Sequence, residues 1–188
     1  VNPGSSRDMI QVRPFNVDRV VNMRELDPND IEIKSVDDDG GSSVVVVGGC
    51  AISALELTNC TTISVVDLRN QLATTDMTIE AVKTITVSSS LVWAGSHALT
   101  LSTTSTTEGA ININKSIRST TDDGTGGLTL RSRSITVSAA INVGGGFSTT
   151  GMGRSTLTIA TGGSIIASRK VSLDAQTLNI FGSVKIGR

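Results

Sequence analysis

Short apolar–polar–apolar triplets recur along this chain in pairs. Ile135-Thr-Val137 and Ile141-Asn-Val143 flank the corner Ser138-Ala-Ala140, and the same nine-residue unit returns at Ile85–Trp93, Ile111–Ser119 and Leu178–Ile186. Positions 1, 3, 7 and 9 are apolar in 15 of 16 cases, with Ser119 the exception, a regularity that random placement would not keep. Alternation with period two marks strands that bury one face and wet the other. The corner residues between triplets are mostly small, as a tight redirection of the strand requires. Both triplets can then face one interior from different sides.

Further triplets fill the gaps at Leu99-Thr-Leu101, Leu128-Thr-Leu130, Leu157-Thr-Ile159 and Val171-Ser-Leu173. Ile63, Ile85, Ile111, Ile135, Leu157 and Leu178 are read as equivalent starts, separated by 22, 26, 24, 22 and 21 residues. A near-constant period of this size, with several short strands in each repeat, predicts a solenoid. A sandwich also spaces strands by roughly ten residues, but it has no reason to repeat one corner. The expected fold is therefore all-β: a parallel β-solenoid, or β-helix, with coils of roughly 21–26 residues. Outward positions are mostly Thr, Ser and Asn, such as Thr86, Asn112, Thr136 and Thr158, which would align as hydroxyl and amide ladders. Stretches 102–109, 120–127 and 144–155 read as loops between coils, rich in Gly, Ser and Thr.

Residues 1–43 differ, since they hold all three prolines and many charges, and show no clear triplet before Ile31-Glu-Ile33. Val17, Val20, Val21 and Leu26 suit one amphipathic turn of helix ahead of Pro28. This stretch is expected to be an arm or end cap, with the solenoid at 44–188. At the other end, Val184-Lys-Ile186 is still in the repeat pattern when the chain stops at Arg188. An uncovered last rung leaves backbone groups unpaired, to be met by a continuation of the chain or by another molecule's N-terminal region. Val184, Lys185, Ile186 and Arg188 are thus the candidate assembly interface, and a processed product or fragment is expected.

Composition sharpens the picture in two ways. Aromatics amount to 2% (Trp93, Phe15, Phe147 and Phe181), so the core must be aliphatic. With 24 Ser and 24 Thr the chain could pass for a disordered one, but disordered chains lack regular aliphatic triplets. The net charge of −1 argues against a nucleic-acid partner. Its distribution is uneven: residues 1–123 hold 9 basic against 16 acidic residues, a net of −7. Residues 124–188 hold 7 basic residues against Asp174 alone, a net of +6, which suits a polarised rod that attracts its own copies end to end. The longest apolar run, Val44 to Val47, is too short to span a bilayer.

Candidate chemistry is sparse. Cys50 and Cys60 would close one small loop in a secreted protein, or be two buried thiols in a cytosolic one. Two sequons, at Asn59 and Asn114, fall within chance expectation for this composition. His97 is the only histidine and reads as a loop residue, with no triad around it. Asp37–Asp39 and Asp122-Asp123 sit in Gly-rich runs that read as turns and match no calcium loop. We therefore expect no catalytic residue, no cofactor and no metal. Some β-helices degrade polysaccharides, but here Asp122 and Asp123 follow His97 and precede Arg131 and Arg133. Pectin-degrading hydrolases place the Asp pair before the His, so a lyase or hydrolase ranks third. Ice binding would need an unbroken threonine array, which the mixed outward positions do not supply.

From Ile111 onward the chain resembles the haemagglutinin-type repeats of large secreted bacterial β-helical exoproteins. Leu128-Thr-Leu-Arg-Ser-Arg-Ser-Ile-Thr-Val137 and Val171-Ser-Leu-Asp-Ala-Gln-Thr-Leu-Asn-Ile180 carry the likeness, while the Asn-Pro-Asn motif of that family's secretion domain is absent. The resemblance implies an extracellular adhesive or scaffolding protein and transfers no site residue. The expected function is a secreted, non-enzymatic structural subunit that stacks head to tail into an extracellular or cell-surface fibre. The alternative is an adhesin segment that binds a glycan or host surface protein through its faces and loops.

Overall fold

Leu128, Leu130 and Ser132 point inward from one strand, and so do Ile135 and Val137 from its far half. Between them Arg133 and Ser134 both face partly outward, so the alternation slips and the strand turns a corner. This strand, β9 (Leu128–Val137), belongs to a computed structural model that describes residues 29–34, 60–121 and 124–187. All pairings below are parallel.

The strands form a 10-stranded and a 5-stranded sheet, neither closed on itself. The larger sheet holds two ladders joined through β9 and β11 (Phe147–Ile159), which run through both. Its first ladder contains β4 (Thr84–Val87), β7 (Ala110–Ile113), the far halves of β9 and β11, and β14 (Thr177–Ile180). Ile85, Ile111, Ile135, Leu157 and Leu178 stand in register along it, at the spacing read from the sequence. The second ladder contains β3 (Met77–Ala81), β6 (Leu99–Thr103), the near halves of β9 and β11, and β13 (Val171–Ser172). Met77, Leu99, Leu128, Phe147 and Val171 line up there. The 5-stranded sheet runs β5 (Leu91–Trp93), β8 (Ile117–Ser119), β10 (Ala140–Val143), β12 (Ser164–Ala167) and β15 (Ser183–Ile186). Leu91, Ile117, Ile141, Ile165 and Val184 stand in register.

The inward positions of all three ladders make one core. Ile85, Ile111, Ile117, Ile141, Leu157 and Ile165 are fully buried in a single aliphatic cluster. Each such side chain contributes about 1.5–3 kcal/mol relative to exposure, which is how a chain nearly without aromatics becomes stable. Ser119 is buried as well, and its hydroxyl accepts the Gly144 amide at 2.8 Å. It stands opposite Trp93 in register, so the smallest inward residue of the pattern meets the largest. Outward hydroxyls and amides align as expected: Thr129 and Ser148 share a bond of 3.0 Å, and the Asn179 amide reaches the Thr158 hydroxyl at 3.4 Å.

Four features depart from the reading above. Residues 147–155, expected in a loop, are the near half of β11, because Phe147 and Thr149 are buried in the second ladder. Residues 102 and 103, also assigned to a loop, complete β6. Ile63 does not follow directly on Ile85: β1 (Asp30–Lys34) lies between β2 (Cys60–Ser64) and β4, with Ile33 opposite Ile63 and Ile31 opposite Ile85. Finally, an eight-residue helix α1 (Val65–Leu72) follows β2. Ser64 caps it by accepting the Val66 amide at 3.2 Å, and Leu68 and Leu72, one turn apart, are buried. Val17, Val20, Val21, Leu26, Asp37–Asp39, Cys50, Asn59, Asp122, Asp123 and Arg188 lie outside the described residues.

Candidate functional site

The last rung of the ladders is the feature most open to a partner. β14 pairs with β11 and β15 with β12, and among the described residues each has only that one strand neighbour. Leu178 and Ile180 stand opposite Leu157 and Ile159, while Val184 and Ile186 stand opposite Ile165 and Ala167. The four underlying residues are fully buried, yet Leu178 is 46% exposed, Ile180 47% and Ile186 59%. Phe181, at the corner between the two strands, is 67% exposed. Leu178, Ile180 and Ile186 are inward positions by pattern that no further rung among the described residues covers. Leaving them in water forgoes part of the 1.5–3 kcal/mol that each buried counterpart contributes.

Of the residues expected at this interface, Val184 is half-buried, Lys185 faces outward and Ile186 is exposed, while Arg188 lies outside the described residues. Leu178, Ile180 and Phe181 join them, and the repeat already signalled the first two as positions 1 and 3 of the same unit. Backbone bonds from Phe181 to the Ile159 carbonyl (2.8 Å) and from Gly187 to the Ala167 carbonyl (2.9 Å) keep the rung in register to its end.

The opposite end is built differently. There α1 packs against β5 and buries Leu68 and Leu72, whereas β2 is the outermost strand of the first ladder. Val66, on the outer side of α1, is 45% exposed. Cys60 opens β2, and its proposed partner Cys50 lies outside the described residues.

His97 is less isolated than its loop setting suggests. Its Nδ1 lies 3.4 Å from Asp76 Oδ1, and the same oxygen accepts the Ala98 amide at 2.7 Å. The His97 carbonyl in turn accepts the Trp93 indole N–H at 3.0 Å. This arrangement pins the turn before β6 to the turn before β3. Because Asp76 is well exposed, water can replace much of what it supplies. Asp76→Ala is expected to cost about 1 kcal/mol and Asp76→Asn less, since an amide oxygen still accepts; urea denaturation would measure both. Elsewhere, Lys83 and Glu108 pair at 2.7 Å. Their hydrogen bond, then their mutual charge, lowers the Glu108 carboxyl pKa and raises that of Lys83. The Glu108 contribution is therefore lost as pH falls through its lowered pKa, and the Lys83 contribution as pH rises through its raised one. Both lie in solvent, so the pair is a minor support.

Among the described residues no three His, Cys, Asp or Glu side chains gather to hold a metal, and no helix is long and apolar enough to cross a membrane. Comparison with family models, with curated proteins and with solved structures finds no match to this chain.

Proposed function

We propose that the three parallel ladders are the walls of a β-solenoid, and that the protein is a secreted, non-enzymatic subunit of an extracellular or cell-surface fibre. The exposed inward positions of the last rung carry this reading: Leu178, Ile180 and Ile186 are shaped for burial and lie half in water. Burial by a second copy removes that apolar area, and pairing of β14 with the second copy's outermost β2 satisfies the edge of the first ladder. The second copy meets it with its α1 end, where Val66 is exposed. Unequal charge along the sequence, −7 over residues 1–123 and +6 over residues 124–188, favours contact between unlike parts of two copies over contact between like ones. Contact between two different surfaces extends as a filament when its rotation does not close. The likeness of residues 111–188 to haemagglutinin-type repeats agrees with an extracellular scaffold.

Electron microscopy and light scattering of the purified chain test this. Filaments or end-to-end oligomers are expected at low salt, with shortening as salt screens the charges. Ile180→Lys/Ile186→Lys is expected to give monomers with an unchanged far-UV spectrum, because both positions are already half exposed. A wild-type chain that stays monomeric at high concentration and low salt would refute the fibre.

A further inference from the structure

We propose that the corner carrying Arg131, Arg133 and Arg154 binds sulfate or phosphate ester groups on a linear polymer. The proposal is independent of end-to-end assembly, because the corner lies on the side of the ladders.

Three arginines start from neighbouring positions there for identifiable reasons. Arg131 and Arg133 leave the same side of β9, with the buried Ser132 between them. A two-residue step separates their origins by about 7 Å. Opposite them β11 bulges between Gly151 and Thr156, and Gly153, at φ +59°, allows the turn that brings Arg154 alongside. The Arg133 guanidinium is tied down on two sides. Its Nε donates to the Arg154 carbonyl at 3.4 Å, and its Nη1 donates to the Thr107 carbonyl. That carbonyl is itself held by a turn in which the Ser105 hydroxyl accepts the Glu108 amide at 3.0 Å.

None of these bonds neutralises charge. Among the described residues no carboxylate lies within ion-pair distance of Arg131, Arg133 or Arg154; nearby Glu108 is taken by Lys83. Three like charges held together raise the free energy of the empty corner, and an anion relieves it. Arginine forks suit oxyanions better than lysine does. Here they approach from a strand, a corner and a bulge. A sulfate or phosphate ester offers three oxygens in different directions, whereas a carboxylate offers two in one plane. Because Arg133 is tethered and the other two arginines start from different strands, several esters along a chain engage them better than one free anion. The exposed Thr150 stands opposite Arg131 in register and offers a hydroxyl on the neighbouring strand.

Binding of dextran sulfate, dextran phosphate, polygalacturonate and neutral dextran to the full chain, by biolayer interferometry at low salt, tests the assignment. Dextran sulfate, dextran phosphate or both are expected to bind, with salt weakening the interaction; which of them binds identifies the ester. Arg131→Gln/Arg154→Gln, two exposed positions whose change should leave the melting temperature in place, is expected to weaken binding at least tenfold. Lys115→Gln/Arg118→Gln, two exposed positions at and just before β8, is expected to weaken it less than threefold. Equal losses in the two pairs would show diffuse charge attraction and overturn the site. So would polygalacturonate binding as tightly as the esters, or no binding of either ester polymer.

Discussion

Trp93→Ala is expected to lower stability by about 3–5 kcal/mol, the range for removing a large buried aromatic. Trp93 is 1% exposed at the end of β5 and is the largest side chain in the core. Its neighbours cannot collapse into the space it would leave. On one side Ser119, in register with it, is too small to fill a gap, and its hydroxyl is committed to the Gly144 amide. Beyond β5 lies α1, whose packing against the 5-stranded sheet depends on that surface. The substitution also strands the His97 carbonyl, which accepts the indole N–H. Trp93→Phe keeps most of the volume and loses that bond, so a smaller loss of about 1–2 kcal/mol is expected. Urea denaturation followed by far-UV circular dichroism separates the two variants. A loss for Trp93→Ala below about 1.5 kcal/mol would mean that the indole is not packed as described.

Gly144→Ala is the second large effect, with an expected cost of about 3 kcal/mol, the upper part of the range for forced overpacking. Gly144 is buried, and a Cβ there would overlap the Thr121 carbonyl oxygen. Its own amide is held by Ser119, so the strand cannot simply back away. The obstacle is backbone, which has no rotamer to change. A Cβ on Gly146, two residues on, would meet only Lys170, with the carbonyl oxygen at an ordinary 3.6 Å and Cβ at 4.0 Å. Gly146→Ala should therefore fall within about 0.5 kcal/mol of the parent. Thermal melts of the pair test whether close approach, rather than glycine's flexibility, fixes residue 144.

Much of this architecture was legible because burial imposes period two and stacking imposes a second, longer period. The step from Ile85 through Ile111, Ile135 and Leu157 to Leu178 could be read from aliphatic residues alone, and the register follows it. Phe147-Ser-Thr149 escaped notice because its second inward position is a threonine. The Thr149 hydroxyl is satisfied by the Asp174 amide at 2.9 Å, so a polar residue can face inward without cost to the ladder. Helix α1 escaped because two turns leave only Leu68 and Leu72 as a signal, after a β-branched Val65-Val66 start that suggests strand. At the last rung the sequence pointed to Val184 and Ile186, and Leu178 and Ile180 follow from the same unit. The arginine corner was not legible: Arg131 and Arg133 alternate visibly, but only the bulge of β11 brings Arg154 to them.

The place of β1 between β2 and β4 bears on how the chain chooses among rival alignments. Thr84 could be reached from β2, 22 residues earlier by the Ile63–Ile85 spacing, whereas its actual neighbour Asp30 is 54 positions away. Closing the longer loop costs only about 0.8 kcal/mol more, since the penalty grows with the logarithm of length. Connectivity thus favours the decoy by less than one well-buried side chain is worth. Ile31 and Ile33, both enclosed between their neighbours, supply two, and so the native threading prevails on contacts alone.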